Sequence, residues 1–122
     1  MKKLTYLLIM ILAINSCYLL KENGIEVEIE NNSDAPISDV KFTTSENLNS
    51  IEFETIDTNE KVSDFLKMGD NKTDGSYVLA FTRENGKKEI STAGYYTNGG
   101  TLNSQVVFKI EKDTVFASTS RY

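Results

Sequence analysis

Ile25-Glu26-Val27-Glu28-Ile29-Glu30 decides the fold. Apolar and acidic residues alternate strictly, with a period of two, so one face is aliphatic and the other charged. That is the pattern of a half-buried β-strand and not of a helix. The same reading extends along the chain. Ile37-Ser38-Asp39-Val40-Lys41-Phe42, Ile51-Glu52-Phe53-Glu54, Tyr77-Val78-Leu79-Ala80-Phe81, Ile90 to Tyr96, Val106-Val107-Phe108-Lys109-Ile110 and Val115-Phe116-Ala117 are six further strands, which makes about seven.

Turn residues separate them: Asn31 to Pro36, Asp70 to Gly75, Glu84-Asn85-Gly86, Asn98-Gly99-Gly100 and Lys112-Asp113. Asn85-Gly86 between two strands predicts a two-residue hairpin turn, because both residues tolerate positive φ. Asn59 to Met68 fits both periods; its strand neighbours favour a strand. Short strands at regular spacing predict an all-β antiparallel sandwich or small barrel. The expected core is Ile25, Val27, Ile29, Val40, Phe42, Ile51, Phe53, Leu79, Phe81, Ile90, Phe108, Ile110 and Val115. Each contributes roughly 1.5–3 kcal/mol on full burial, before ordering entropy is subtracted.

Composition excludes several function classes. Of 122 residues, 18 are acidic and 13 basic, for a formal net charge of −5. A nucleic-acid partner is therefore not expected, since phosphate binding needs a basic face. The chain has no His and one Cys. That removes Ser-His-Asp and Cys-His catalysis, most zinc sites, internal disulfides and CxxC redox chemistry.

Before the strands, Met1-Lys2-Lys3 is followed by 11 uncharged residues, Leu4 to Ile14. A membrane-spanning helix needs roughly 20 apolar residues, so this length is that of a signal-peptide core. Ile14-Asn15-Ser16-Cys17 then resembles the lipobox of bacterial lipoproteins. The resemblance implies a signal helix in 1–16, signal peptidase II cleavage between Ser16 and Cys17, and acyl chains on Cys17. It implies a tether over 17–23, a domain over 24–122, and the membrane as a partner through the lipid. Tyr18 in place of Asp after the Cys implies, by analogy with Gram-negative sorting, an outer-membrane destination in the cell envelope. Lys21-Glu22 resembles the short charged export tags of surface lipoproteins in the Bacteroidetes, and reads better as a solvated linker. Without Lys2 and Lys3 the mature chain carries 11 basic and 18 acidic residues, a net −7, which repels anionic headgroups.

A second resemblance lies in Val27 to Phe42, where a strand and an Asn/Ser/Asp turn precede a core-facing I-x-x-V-x-F. With Thr58 to Val62 and Asp74 to Leu79, this resembles bacterial immunoglobulin-like modules. It implies an immunoglobulin-like sandwich, without the Cys–Trp–Cys core of antibody domains, and no activity.

Candidate chemistry is sparse. Asp70 to Gly75 has the outline of a calcium loop, but Lys72 replaces a ligand and Phe81 stands where a bidentate Glu is needed. The rows Glu26/Glu28/Glu30 and Glu52/Glu54 read as solvated faces that discourage edge pairing. Gly94-Tyr95-Tyr96-Thr97-Asn98-Gly99-Gly100 is the expected binding surface. Adjacent strand tyrosines point to opposite faces, so one is exposed beside a glycine turn. Tyr95, Tyr96 and Asn98 are thus the candidate contacts for a protein or glycan. No cofactor, metal or catalytic group is expected. The function expected is a non-enzymatic binding or scaffolding lipoprotein; the alternatives are a structural subunit of an envelope or secretion complex, and a small carboxylate hydrolase.

Overall fold

The computed structural model describes residues 22–121. The predicted signal helix, the cleavage site Ser16-Cys17 and the lipid attachment point lie outside the described residues.

Nine strands form two packed sheets. They are β1 (Gly24–Asn31), β2 (Ile37–Thr44), β3 (Ser50–Ile56), β4 (Lys61–Lys67), β5 (Gly75–Thr82), β6 (Lys88–Thr97), β7 (Gly100–Thr101), β8 (Asn103–Ile110) and β9 (Val115–Arg121). One sheet has the order β4-β1-β8-β9 and the other β3-β2-β5-β6-β7. The ambiguous segment is strand β4. The architecture is the all-β sandwich expected, with two corrections. The strands among the described residues number nine, against about seven expected. The pairing is also not wholly antiparallel: β1 runs parallel to β8, with Val27 opposite Val106 and Ile29 opposite Phe108. Sequence spacing favours antiparallel neighbours because short turns join them, and it is silent on a pairing that joins the two ends of the domain.

The core lies between the sheets. Ile25, Val27, Ile29, Phe42, Leu79, Phe108 and Ile110 are fully buried, with Val40, Ile51 and Phe81 nearly so. Phe42 stacks on Tyr77 at 6.2 Å between ring centres and meets Phe108 edge-on at 6.0 Å, the offset arrangements that aromatic quadrupoles favour. Ile37, the first residue of the core-facing I-x-x-V-x-F, is buried too; Ile56, Leu66, Met68, Tyr77, Tyr96 and Val106 complete the core and were not expected there. Phe53 and Val115 are only partly buried.

Ile90 corrects the expected core outright: it is 73% exposed. The register sets Leu79 opposite Ser91 and Ala80 opposite Ile90. Leu79 points inward, so Ser91 does too, and Ile90 is forced onto the outer face.

Among the described residues, bulges change the phase of the alternation in β2, β6 and β8. Ile37 and Val40 are three residues apart and belong on opposite faces of a regular strand, yet both are buried. Asp39, at φ 50°, sits where the β2–β5 register shifts between Ser38 and Lys41 and absorbs the extra residue. The second bulge, at Gly94, shapes the site below.

The turns also divide differently from expectation. Around Asn85-Gly86 only Gly86 has positive φ. Gly86 N donates to Arg83 O at 2.9 Å and Arg83 N to Lys87 O at 2.8 Å, which is a three-residue loop with a glycine bulge. The tight two-residue turn is Asn98-Gly99, with φ of 49° and 75°, between the paired residues Thr97 and Gly100.

Phe108→Ala is expected to cost about 3–5 kcal/mol in denaturant unfolding, and Ile90→Ala less than about 0.5 kcal/mol. A comparable loss at both positions would contradict the register of β6.

Candidate functional site

The Tyr95-Tyr96-Asn98 segment stands at the end of the sandwich where β1 begins. Three connections meet there: 45–49, 68–74 and the Asn98-Gly99 turn. Gly94 decides which tyrosine faces out. Ala93, opposite Tyr77, points toward the core, so regular alternation would bury Tyr95. Gly94 adopts φ +67° at a register shift in the β5–β6 pairing and inserts one residue. Tyr96 is consequently fully buried and Tyr95 is 49% exposed. A Cβ at Gly94 would lie 2.8 Å from the Tyr77 ring, so glycine is required both for φ and for space.

Tyr96 is therefore removed from the candidate binding surface and belongs to an inner polar network. Its hydroxyl donates to Glu46 Oε2 at 2.9 Å. Asn71, itself buried, donates from Nδ2 to the same oxygen at 2.7 Å and to Thr44 Oγ1 at 2.9 Å. Glu46 Oε1 accepts from the backbone N–H groups of Lys72 and Thr73, both at 3.2 Å. The Glu46 carboxyl is held at a pKa of about 2, first by Asn71 and then by Lys72, Tyr96 and Thr73, against the opposing effect of burial.

Tyr95 and Asn98 share one partner, Asp74. Its Oδ2 accepts from the Tyr95 hydroxyl at 3.1 Å and its Oδ1 from Asn98 N at 2.9 Å. The hydrogen bond to Asp74 raises the Tyr95 pKa, so the phenol is a neutral donor. The calcium-like loop and the tyrosine loop, two separate features of the sequence, thus form one constellation. The loop's carboxylates diverge: Asp74 holds Tyr95 and Asn98, while Asp70 accepts from Asn49 at 3.4 Å. Among the described residues no three His, Cys, Asp or Glu side chains group as metal ligands.

Asn23 ties the start of the domain into this cluster. Its Nδ2 donates to Gly99 O at 2.7 Å and Met68 O at 3.0 Å. Gly99 N donates to Thr73 O at 2.8 Å, and a Cβ at Gly99 would collide with Asn71 O at 1.8 Å. Glu46 and Asn23 were not singled out from sequence, and Gly94 and Asn71 only as members of the tyrosine loop and the calcium-like loop. A glycine inside a strand pattern was the available signal for Gly94; Glu46 had none.

Beside the cluster, Gly94, Tyr95, Leu102, Asn103, Thr119 and Arg121 line an open depression of about 560 Å³. Leu102 is 51% exposed. The depression offers an apolar floor beside the Tyr95 ring, whose hydroxyl is already engaged by Asp74, and one cation, Arg121. At the opposite end, a smaller depression of about 210 Å³ is lined in part by Arg83, Asp34 and Lys112. Arg83 lies over the Phe81 ring, pairs with Glu89 and donates from Nη1 to Glu111 O at 2.8 Å. Of the acidic rows, Glu28 pairs with Lys61 at 3.6 Å on the outer face of its sheet.

No protein-family model matches the chain, and no curated protein does. Among solved structures, the NMR structure of a protein from Eubacterium rectale is similar, at a TM-score of 0.54 and 12% identity, over 82% of this chain and 91% of that one. At that identity the likeness is one of fold.

The depressed Glu46 pKa has a signed consequence. The folded state favours the ionised carboxylate, so its contribution is complete above the ordinary value of 4.5 and is lost as pH falls toward about 2. Stability measured by urea unfolding is expected to drop across that window in the native chain, with a shallower drop in Glu46→Gln. Identical pH profiles would contradict the network.

Proposed function

We propose that the protein is a lipid-anchored lipoprotein of the bacterial cell envelope, attached through Cys17, whose sandwich is a non-enzymatic binding or scaffolding module. The observation that carries the reading is where the chain enters the domain. Gly24 opens β1 at one end of the sandwich, and Asn23 is hydrogen-bonded to the loops on both sides of it. A lipid on Cys17 is then joined to a rigid point by six intervening residues, a reach of about 20 Å when extended. The connections 32–36, 57–60, 83–87 and 111–114 occupy the far end and face away from the bilayer in this arrangement.

The non-enzymatic part is supported by the engagement of the site's carboxylates: Glu46 is hydrogen-bonded to Asn71, Tyr96 and two backbone N–H groups, and Asp74 to Tyr95 and Asn98. An outer-membrane destination follows from Tyr18 after the modified Cys and is part of the proposal. The likeness to immunoglobulin-like modules applies, in this reading, to the layering of two sheets with alternating inward residues. The strand order differs, since that family pairs its first two strands in one sheet and here β1 and β2 lie in opposite sheets.

Metabolic labelling with a palmitate analogue tests the proposal. Native protein is expected to be labelled and to sediment with membranes. Cys17→Ser is expected to stay unlabelled and larger by the retained leader. An unlabelled native protein, or a Cys17→Ser chain that matures normally, would overturn it.

A further inference from the structure

The edges of the two sheets are not equally protected. Edge strands expose unpaired N–H and C=O groups, and charged side chains are the common guard against unwanted pairing. β4 carries Lys61, Asp64 and Lys67, and β3 carries Glu52 and Glu54. β6 carries Lys88 and Glu89, is bulged at Gly94, and is covered at its end by β7. β9 lacks these devices. Val115-Phe116-Ala117-Ser118-Thr119-Ser120 is uncharged, and its only cation is Arg121 at the end. β9 pairs with β8 on one side and with no described strand on the other. Every residue after Val115 is exposed, Phe116 by 61%.

Charge selects the occupant. Arg121 ends β9 and Asp113 lies in the turn before it, and neither is in an ion pair among the described residues. They are equally spaced about Ala117. If a second β9 runs antiparallel with Ala117 on the two-fold axis, Arg121 of each copy extends past Thr114 of the other to the turn that carries Asp113. Centring on Ser118 instead places Arg121 against Val115 and leaves both charges unmatched. In the Ala117 register Phe116 lies opposite Ser118 of the second copy, and the two Phe116 rings become diagonal neighbours, within aromatic reach. We propose that β9 is a homodimerisation edge, joining two copies through an antiparallel β9–β9 pair centred on Ala117. The interface is isologous, so both Arg121–Asp113 contacts form at once. It continues each four-stranded sheet into one of eight strands. The proposal does not depend on lipid attachment.

The test is cysteine crosslinking of the full chain in intact cells, with the native chain as the control for Cys17. Residues on the axis of an antiparallel pair have Cβ atoms about 4.5–5.5 Å apart, close enough for a disulfide after slight adjustment. Ala117→Cys is expected to give an oxidised dimer, and Ser63→Cys on the β4 edge none. Adding Arg121→Asp to Ala117→Cys should lower the dimer yield at least about fivefold, the order expected when matched charges become opposed. Further adding Asp113→Arg should restore it. All four positions are exposed, and unchanged circular dichroism would show that the variants fold. Absence of the Ala117→Cys dimer, an equal yield from Ser63→Cys, or a yield indifferent to the charge swap would overturn the proposal.

Discussion

β1 is held on both sides, and the sandwich depends on that grip. It pairs antiparallel with β4 from Gly24 to Glu30 and parallel with β8 from Glu26 to Asn31. Its inward side chains Ile25, Val27 and Ile29 are fully buried. The strand thereby joins the first residues of the domain to the last hairpin, across most of the chain. No disulfide is available to do this, so interstrand hydrogen bonds and the buried aliphatic stripe carry it. Asn31 continues the grip past the end of the strand. Its Nδ2 donates to Ala35 O and Ile56 O, both at 3.0 Å, and its Oδ1 accepts from Ser33. The crossover from one sheet to the other is fixed by that side chain.

Much of this was legible in the sequence wherever the alternation kept its phase. β1 follows a strict alternation, and its apolar residues are the ones buried. The reading failed where the backbone shifts phase. At Asp39 and Gly94 an inserted residue exchanges the two faces, and neither a buried Tyr96 nor an exposed Ile90 follows from period two alone. Asn85-Gly86 and Asn98-Gly99 have the same composition and different turns, because loop length is set by the register of the flanking strands. The parallel β1–β8 pair left no local trace, since its partners are separated by almost the whole domain.

The candidate site shows the same division. Exposure of one tyrosine beside the Asn98-Gly99 turn was readable. Its support was not, because Glu46 and Asn71 come from connections remote in sequence and meet only in the fold. Their network satisfies its own donors and acceptors, so it fixes the loop cluster in place and leaves Tyr95 and Leu102 as the groups that face solvent. In the proposed reading, recognition falls to surfaces that packing has not consumed: that depression, the far loops around Arg83, and the bare edge of β9. None of these requires the protein to perform chemistry.

β1 is clamped between two neighbours within its sheet, and native-state hydrogen exchange measures this most directly. The hydrogen-bonded amides of β1 should exchange only through global unfolding, with opening free energies within about 1 kcal/mol of the stability from denaturant melts. Exchange of those amides through a local opening far below the global value, as at a fraying edge strand, would contradict it.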